Sequence, residues 1–426
     1  MLAARATARR AARLARNFAS AADAAGIKVA AIDNGQPTSS VTFLVNAGSR
    51  YESRPGVANV LKNFAFKSTA ARSALGTVRE TELFGGVLSS SLSREYLSLT
   101  AEFLRGDEEF FVDVLSSFIN SSKFTQWELD ESVLPTVAGE TQAAASDSAT
   151  VALELAHAFA FHNGLGSSIF APSHPSISAQ DVKDFASQVL SKSNIAVLGT
   201  GISQEALAKL VEKRLGSVSA GSVAARSASG YFGGETRQSL HGAPQTVFVG
   251  FGATGAPAPE LALLNAHLST SPSVKWSASL SPLASVIPAG TSVQPVLLSY
   301  SDAALFGLLV QGESAATVKE AAVSSVKVLQ ETTSGASLTP EQLKAAIAKA
   351  KFSAAAAVES REGLVSTLGP NVLSGSPATL SSIYSTLDAV SASSFSKVTS
   401  SLLKTKPTFV AVGDTNALPY VNELGL

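Results

Sequence analysis

The sequence predicts an α/β chain (α+β in arrangement) of two homologous domains of similar plan, each a mixed β-sheet covered by helices. Three observations predict it. Strand-like runs rich in β-branched and aromatic residues recur in both halves. Each is followed by a second strand and then an amphipathic helix. Two pairs of landmarks also share one spacing, since Leu129 to Leu343 and Gly199 to Gly413 are both 214 residues. The 426 residues suit two domains of about 200 each.

Taken in order, Val41-Thr42-Phe43-Leu44-Val45 leads into Ala47-Gly48, and Thr246-Val247-Phe248-Val249 into Gly250-Phe251-Gly252. Both runs favour a pleated, buried strand that stops at glycine. A second strand follows through Tyr96, Leu97, Leu99 and Phe103 in one half, and through Leu305, Phe306, Leu308 and Leu309 in the other. Apolar residues then recur every three or four positions over Glu108 to Ile119 and Ala315 to Leu329, the period of a helix with one buried face. Thr125-Gln126-Trp127-Glu128 and Thr339-Pro340-Glu341-Gln342 read as capping boxes, the second with proline at the first helical position. Ile195 to Gly199 and Phe409 to Gly413 close the halves as strands. Between the halves, Gly216 to Ser239 is dense in Gly, Ser and Ala and reads as a mobile strap. The expected division is 1–18, 19–215, a linker over 216–239, and 240–426.

Composition excludes several functions. Hydrophobic residues make up 45% and charged residues 15%, with mean hydropathy +0.22, so the chain can bury a large core. The net charge of −1 argues against nucleic acid. No cysteine is present, which removes thiolate nucleophiles, disulfides and Cys-type zinc sites together. No apolar run is long enough to span a bilayer, so membrane association would run through partners. Five arginines, Arg5, Arg9, Arg10, Arg13 and Arg16, precede the first acid, Asp23. Such an acid-free, cationic, amphipathic start is the physics of a mitochondrial transit peptide, with the cut expected between Phe18 and Ala19. Its removal would leave 27 bases against 33 acids.

The obvious motifs carry little. Gly250-Phe251-Gly252-Ala253-Thr254-Gly255 matches G-x-G-x-x-G, but no acid lies between Glu260 and Asp302 to hold a ribose, and Pro257 and Pro259 interrupt the helix start. It reads as a glycine-rich strand exit. His157 and His162 are off-face on a helix, and His174, His241 and His267 have no metal-type neighbour, so all read as core or surface histidines. Trp127 and Trp276 read as packing anchors. No cofactor is implied.

The informative stretch is Arg54 to Thr69, RPGVANVLKNFAFKST. It resembles the pitrilysin-type metallopeptidases and their mitochondrial relatives, which include the processing-peptidase subunits and the core proteins of respiratory complex III. Active members carry Gly-x-x-His-x-x-Glu-His followed by Phe/Leu-x-Phe-Lys-x-Thr, with a further glutamate ligand some 76 residues beyond. Here Gly56 and Phe64-Ala65-Phe66-Lys67-Ser68-Thr69 keep the frame, and Glu140 stands at the distal ligand position. Asn59 and Asn63 replace the two histidines and Lys62 the glutamate. Neutral amides are poor zinc donors, and an ammonium repels the ion and is no base near neutral pH. The stretch from Lys275 to Gly290 also lacks the Arg and Tyr with which active relatives hold substrate.

The resemblance implies a metallopeptidase-like fold without the enzyme: no catalytic residue, no metal, and a scaffolding role. Ser93 to Tyr96, Ala101 to Arg105 and Ser299 to Gly307 look most like the core-protein branch. That branch implies a dimeric complex, peripheral on the matrix side of the mitochondrial inner membrane. Its other members would be core protein 1, cytochrome b, the cytochrome c-type subunit and the Rieske subunit. The non-catalytic α subunit of the processing peptidase is the alternative, although its long glycine-rich loop has no counterpart at Val286 to Thr291.

Overall fold

The computed structural model describes residues 22–33, 35–173, 176–223, 226–272, 281–333, 339–376 and 379–426. The Phe18–Ala19 cut, His174, Trp276 and residues 275–280 of the stretch running to Gly290 lie outside them.

In chain order the strands are β1 (Ala22–Ala24), β2 (Ile27–Ile32), β3 (Thr38–Val45), β4 (Val87–Leu92), β5 (Leu97–Leu104), β6 (Ile195–Thr200), β7 (Gly234–Ser239), β8 (Gln245–Thr254), β9 (Thr291–Ser299), β10 (Ala303–Gly312) and β11 (Thr408–Gly413). The helices are α1 (Val57–Asn63), α2 (Ala74–Leu83), α3 (Glu108–Ser121), α4 (Leu134–Ser146), α5 (Ser148–Phe161), α6 (Ala179–Val189), α7 (Gln204–Leu215), α8 (Pro259–Leu268), α9 (Ala315–Thr333), α10 (Pro340–Ala357), α11 (Arg361–Ser374), α12 (Leu380–Asp388) and α13 (Ala392–Leu403).

The repeat is visible in the pairing. One sheet runs β1-β2-β6-β3-β5-β4 and the other β7-β11-β8-β10-β9. In each, a parallel pair (β2 with β6, β7 with β11) is continued by antiparallel partners. The expected strands therefore form, and so do the two long helices, α3 and α9.

Two compact units result. Among the described residues, the first comprises the chain through Thr141, then Ile169–Arg226 and Ala356–Ser382; the second takes Gln142–Ser168, Ser227–Ala355 and Ile383–Leu426. The units thus differ from the sequential halves by two helical segments, and the reason lies in the sheets. In the first unit, one face of β3 and β6 (Val41, Phe43, Val45, Val197) joins a core with α1, α3, α6 and α7. Leu44 and Leu198 point the other way and are buried too. That face is covered by α11, whose Gly369 would bring a Cβ within 2.6 Å of Leu44. Lys28 Nζ donates to Leu373 O at 2.7 Å, and Arg361 pairs with Glu102 and donates to Thr38 Oγ1. In the second unit, Val247, Val249, Phe306 and Phe409 face α8 and α9. Phe248, Leu305, Val410 and Val412 face α5, through Ala152, Ala156 and Phe161.

Several local expectations are corrected. β8 does not stop at its glycines but runs through Gly250 and Gly252 to Thr254. A Cβ at Gly250 would meet the Phe248 ring at 2.5 Å, and one at Gly252 the Tyr231 ring at 2.1 Å, so these glycines make room for aromatics. Pro259 begins α8 rather than interrupting it, because the first helical N–H needs no partner. The Thr339 box forms as expected. Thr125 makes no backbone cap and instead donates its hydroxyl to Glu128 at 2.7 Å. Trp127 is 58% exposed and anchors no core. His157 is a core histidine, bonded to Leu153 O and to the Tyr300 hydroxyl.

The strap is shorter and better held than its composition suggests. Residues 234–239 are strand β7. Upstream, Lys192 and Ser193 donate their N–H to Ser219 O and Ala220 O, and Asn194 Nδ2 to Ser222 O. Small side chains are what allow this approach: a Cβ on Gly221 would lie 2.3 Å from Ser191.

Phe248 fills space that Gly250 and Gly307 leave open. Phe248→Ala is expected to destabilise the second unit by about 3–5 kcal/mol in urea unfolding; a loss below about 1 kcal/mol would contradict this packing.

Candidate functional site: the carboxylate of Glu140

α1 begins at Gly56, whose φ of +90 is the left-handed conformation glycine tolerates. A side chain there would also collide with Ala171, at 2.7 Å. The Glu52 carboxylate accepts the Gly56 N–H at 3.0 Å, serving the open end of the helix. Val57, Ala58, Val60 and Leu61 are buried, and α1 packs on α6. This leaves Asn59, Lys62 and Asn63 together on the other face, as the helical period requires.

The residues after α1 build the second wall. Phe64 packs edge-on against Phe124, at 5.3 Å between centroids. Lys67 Nζ donates to Ser132 Oγ at 2.7 Å, and Ser68 N donates to Glu128 Oε1 at 3.0 Å. Burial works to raise the Glu128 carboxyl, but hydrogen bonds from Ser68 and Thr125 outweigh it and hold it below its usual range. These contacts fix the π-helical turn Leu129–Val133 from which α4 starts. Less than two turns into α4, Glu140 is presented to α1.

The four residues singled out in the sequence meet there. Lys62 Nζ donates to both Glu140 oxygens, at 2.6 and 2.7 Å. Asn63 Nδ2 donates to Oε2 at 3.1 Å, and Asn59 Nδ2 reaches the same oxygen at 3.4 Å and Ile169 O at 3.1 Å. Asn63 Nδ2 also lies 3.3 Å from Asn59 Oδ1. The Lys62 side chain is 12% exposed and that of Glu140 33%. One carboxylate thus receives an ammonium and two amide N–H groups, and its charge is spent within the site. Among the described residues no group of three His, Asp or Glu side chains could hold a metal ion. Sequence reasoning assigned no role to Glu52 or Lys67, and read Glu128 only as part of a capping box. The signal lay in the retained Phe-Lys-Ser-Thr frame, whose polar members tie α1 to the start of α4.

The geometry defines an α/β chain of two sheet units, one of which carries a closed ion pair between α1 and α4. Two family models match: "Insulinase (Peptidase family M16)" over residues 28–173 and "Peptidase M16 inactive domain" over residues 176–350. The chain belongs to the M16 peptidase family. It is 45% identical to the protein of Cryptococcus neoformans var. grubii named "Cytochrome b-c1 complex subunit 2, mitochondrial", over 97% of this chain and 96% of that one. Proteins of the same name from Yarrowia lipolytica (37%, covering 96% and 97%) and Homo sapiens (26%, covering 94% and 90%) also match.

Two outcomes test the site. Burial pushes the Glu52 carboxyl up to about 7, against the backbone bonds from Gly56 and Ala58. An acid raised on folding stabilises the protein below its unfolded pKa, and that contribution is lost as pH rises through the folded value. The urea midpoint should therefore gain from Glu52 at pH 5 and lose that gain by pH 8, and Glu52→Gln should flatten the profile. In a double-mutant cycle, Lys62→Met and Glu140→Gln should couple by about 1–2 kcal/mol in unfolding free energy; additive effects would mean the pair does not hold α1 to α4.

Proposed function

We propose that this chain is a non-catalytic structural subunit of mitochondrial complex III, the counterpart of core protein 2. It supports the assembly and stability of the complex that passes electrons from ubiquinol to cytochrome c. The near-full-length likeness to proteins named as subunit 2 of that complex, in fungi and mammals, supports the assignment.

The observation that carries the non-catalytic reading is the Lys62–Glu140 pair. On the family pattern, Asn59, Lys62, Asn63 and Glu140 occupy the zinc-ligand and base positions. Zinc does not fit them. It needs deprotonated or neutral lone-pair donors, whereas the two amide nitrogens offer N–H groups toward Glu140 and an ammonium already neutralises it. No water can be activated by a residue that carries its own positive charge. Redox chemistry therefore belongs to partners: cytochrome b, the cytochrome c-type subunit and the Rieske subunit, with core protein 1 as the companion core subunit of a dimeric complex. No helix among the described residues is long and apolar enough to cross a membrane, which fits a peripheral subunit held on the matrix side by its partners. The arginine-rich start, cut between Phe18 and Ala19, would deliver it there.

Solubilising mitochondria in mild detergent tests both parts at once. The chain should co-migrate with haem absorbance, and after its own purification should carry less than about 0.1 zinc per chain, as expected without a donor set. A haem-free soluble heterodimer, or chelator-sensitive hydrolysis of a polypeptide by the chain alone, would overturn the proposal.

A further inference from the structure

In the second unit β8 outruns one of its neighbours. It pairs with β10 as far as Thr254, opposite Ala303, but with β11 only to Gly250, opposite Thr408. Gly255 N donates to Asp302 O at 2.8 Å, so in β8 the main-chain groups of the odd-numbered residues 251 and 253 serve β10. Those of Gly252 and Thr254 point the other way, where β11 has ended. The Gly252 N–H is taken by the Tyr231 hydroxyl, which itself donates to Lys406 O. Gly252 C=O and the N–H and C=O of Thr254 are left facing a cleft of about 760 Å³.

The walls of that cleft narrow what it can take. Val398, Leu402 and Leu261 supply apolar surface, and among the described residues no Asp, Glu, Lys, Arg or His lines it. Ser401 and Thr405 spend their hydroxyl protons on Val398 O and Leu402 O, so they offer the cleft only acceptor oxygens. The space therefore offers acceptors and main-chain N–H groups and, among the described residues, nothing to balance a charge. A phosphate or carboxylate ligand would lose its hydration there without a counter-charge. A main chain in extended form matches it, because it brings N–H groups to the acceptors and a C=O to the Thr254 N–H at strand spacing. At Gly255, where no atom lies within 4 Å of an added Cβ, the entrance is open.

We propose that this cleft takes an extended, uncharged peptide segment of a neighbouring subunit, which adds to β8 alongside Thr254. The choice of a neighbouring subunit rests on the complex III reading given above; the strand-addition geometry does not. A benzoylphenylalanine photocrosslinker at Ser401, an exposed position on α13, is introduced into the full chain and the assembled complex is irradiated in detergent. The crosslink is expected to map by mass spectrometry to an uncharged stretch of another subunit. Adding Thr254→Pro, which removes the free N–H, should lower its yield about tenfold while the chain still co-migrates with haem. Hydrogen exchange needs no variant: the amides of residues 252–256 should exchange more slowly in the complex than in the isolated chain. Crosslinks confined to this chain, a yield indifferent to Thr254→Pro, or equal exchange in both states would overturn the proposal. Failure to co-migrate with haem would instead overturn the complex III assignment.

Discussion

Strands that are apolar on both faces constrain everything else in this molecule. β6 and β11 are buried almost throughout, and β3 and β8 over most of their length, so each sheet must be covered twice. The long helices that follow the strands in each half supply one cover. The second comes from the opposite half of the sequence: α11 lies on Leu44 and Leu198, and α5 on Phe248, Leu305 and Val410. An apolar face of that size left in water would cost roughly 25 cal/mol for every Å² exposed. The exchange of helical segments between sequential halves follows from that cost, and it explains why the compact units are not the halves themselves.

The same economy governs the Glu140 site. A carboxylate that is two-thirds covered needs a counter-charge. Here Lys62 supplies it within hydrogen-bond distance, with Asn59 and Asn63 completing the donors. The three side chains therefore act as one set on a single carboxylate. An ammonium alone would lack an anion, and Glu140 alone would be a half-buried charge without a partner. Beside them, Lys67 and Ser68 of the Phe-Lys-Ser-Thr frame hold the turn that launches α4.

The strands, the two long helices, the 214-residue repeat and the shared face of Asn59, Lys62 and Asn63 were legible from periodicity, because each is a local property of side-chain spacing. Trp127 was misjudged, since a large aromatic in an amphipathic context usually packs, yet here it sits outside the core. The strap was misjudged for the opposite reason. Small residues read as freedom, but they also permit close backbone approach, which is how Ser219 to Ser222 dock on 192–194.

The sequence by itself determined the repeated sheet plan and the shared helix face of Asn59, Lys62 and Asn63, because residue chemistry and the helical period need no third dimension. Only the tertiary structure decided that Lys62 lands on Glu140, that α5 and α11 change partners, and that β8 is left with an open edge. Those outcomes depend on which surfaces meet across 77 to more than 300 residues of chain, as at Asn63–Glu140 and Arg361–Thr38. No local pattern records which distant surface will bury a given face; packing alone selects it.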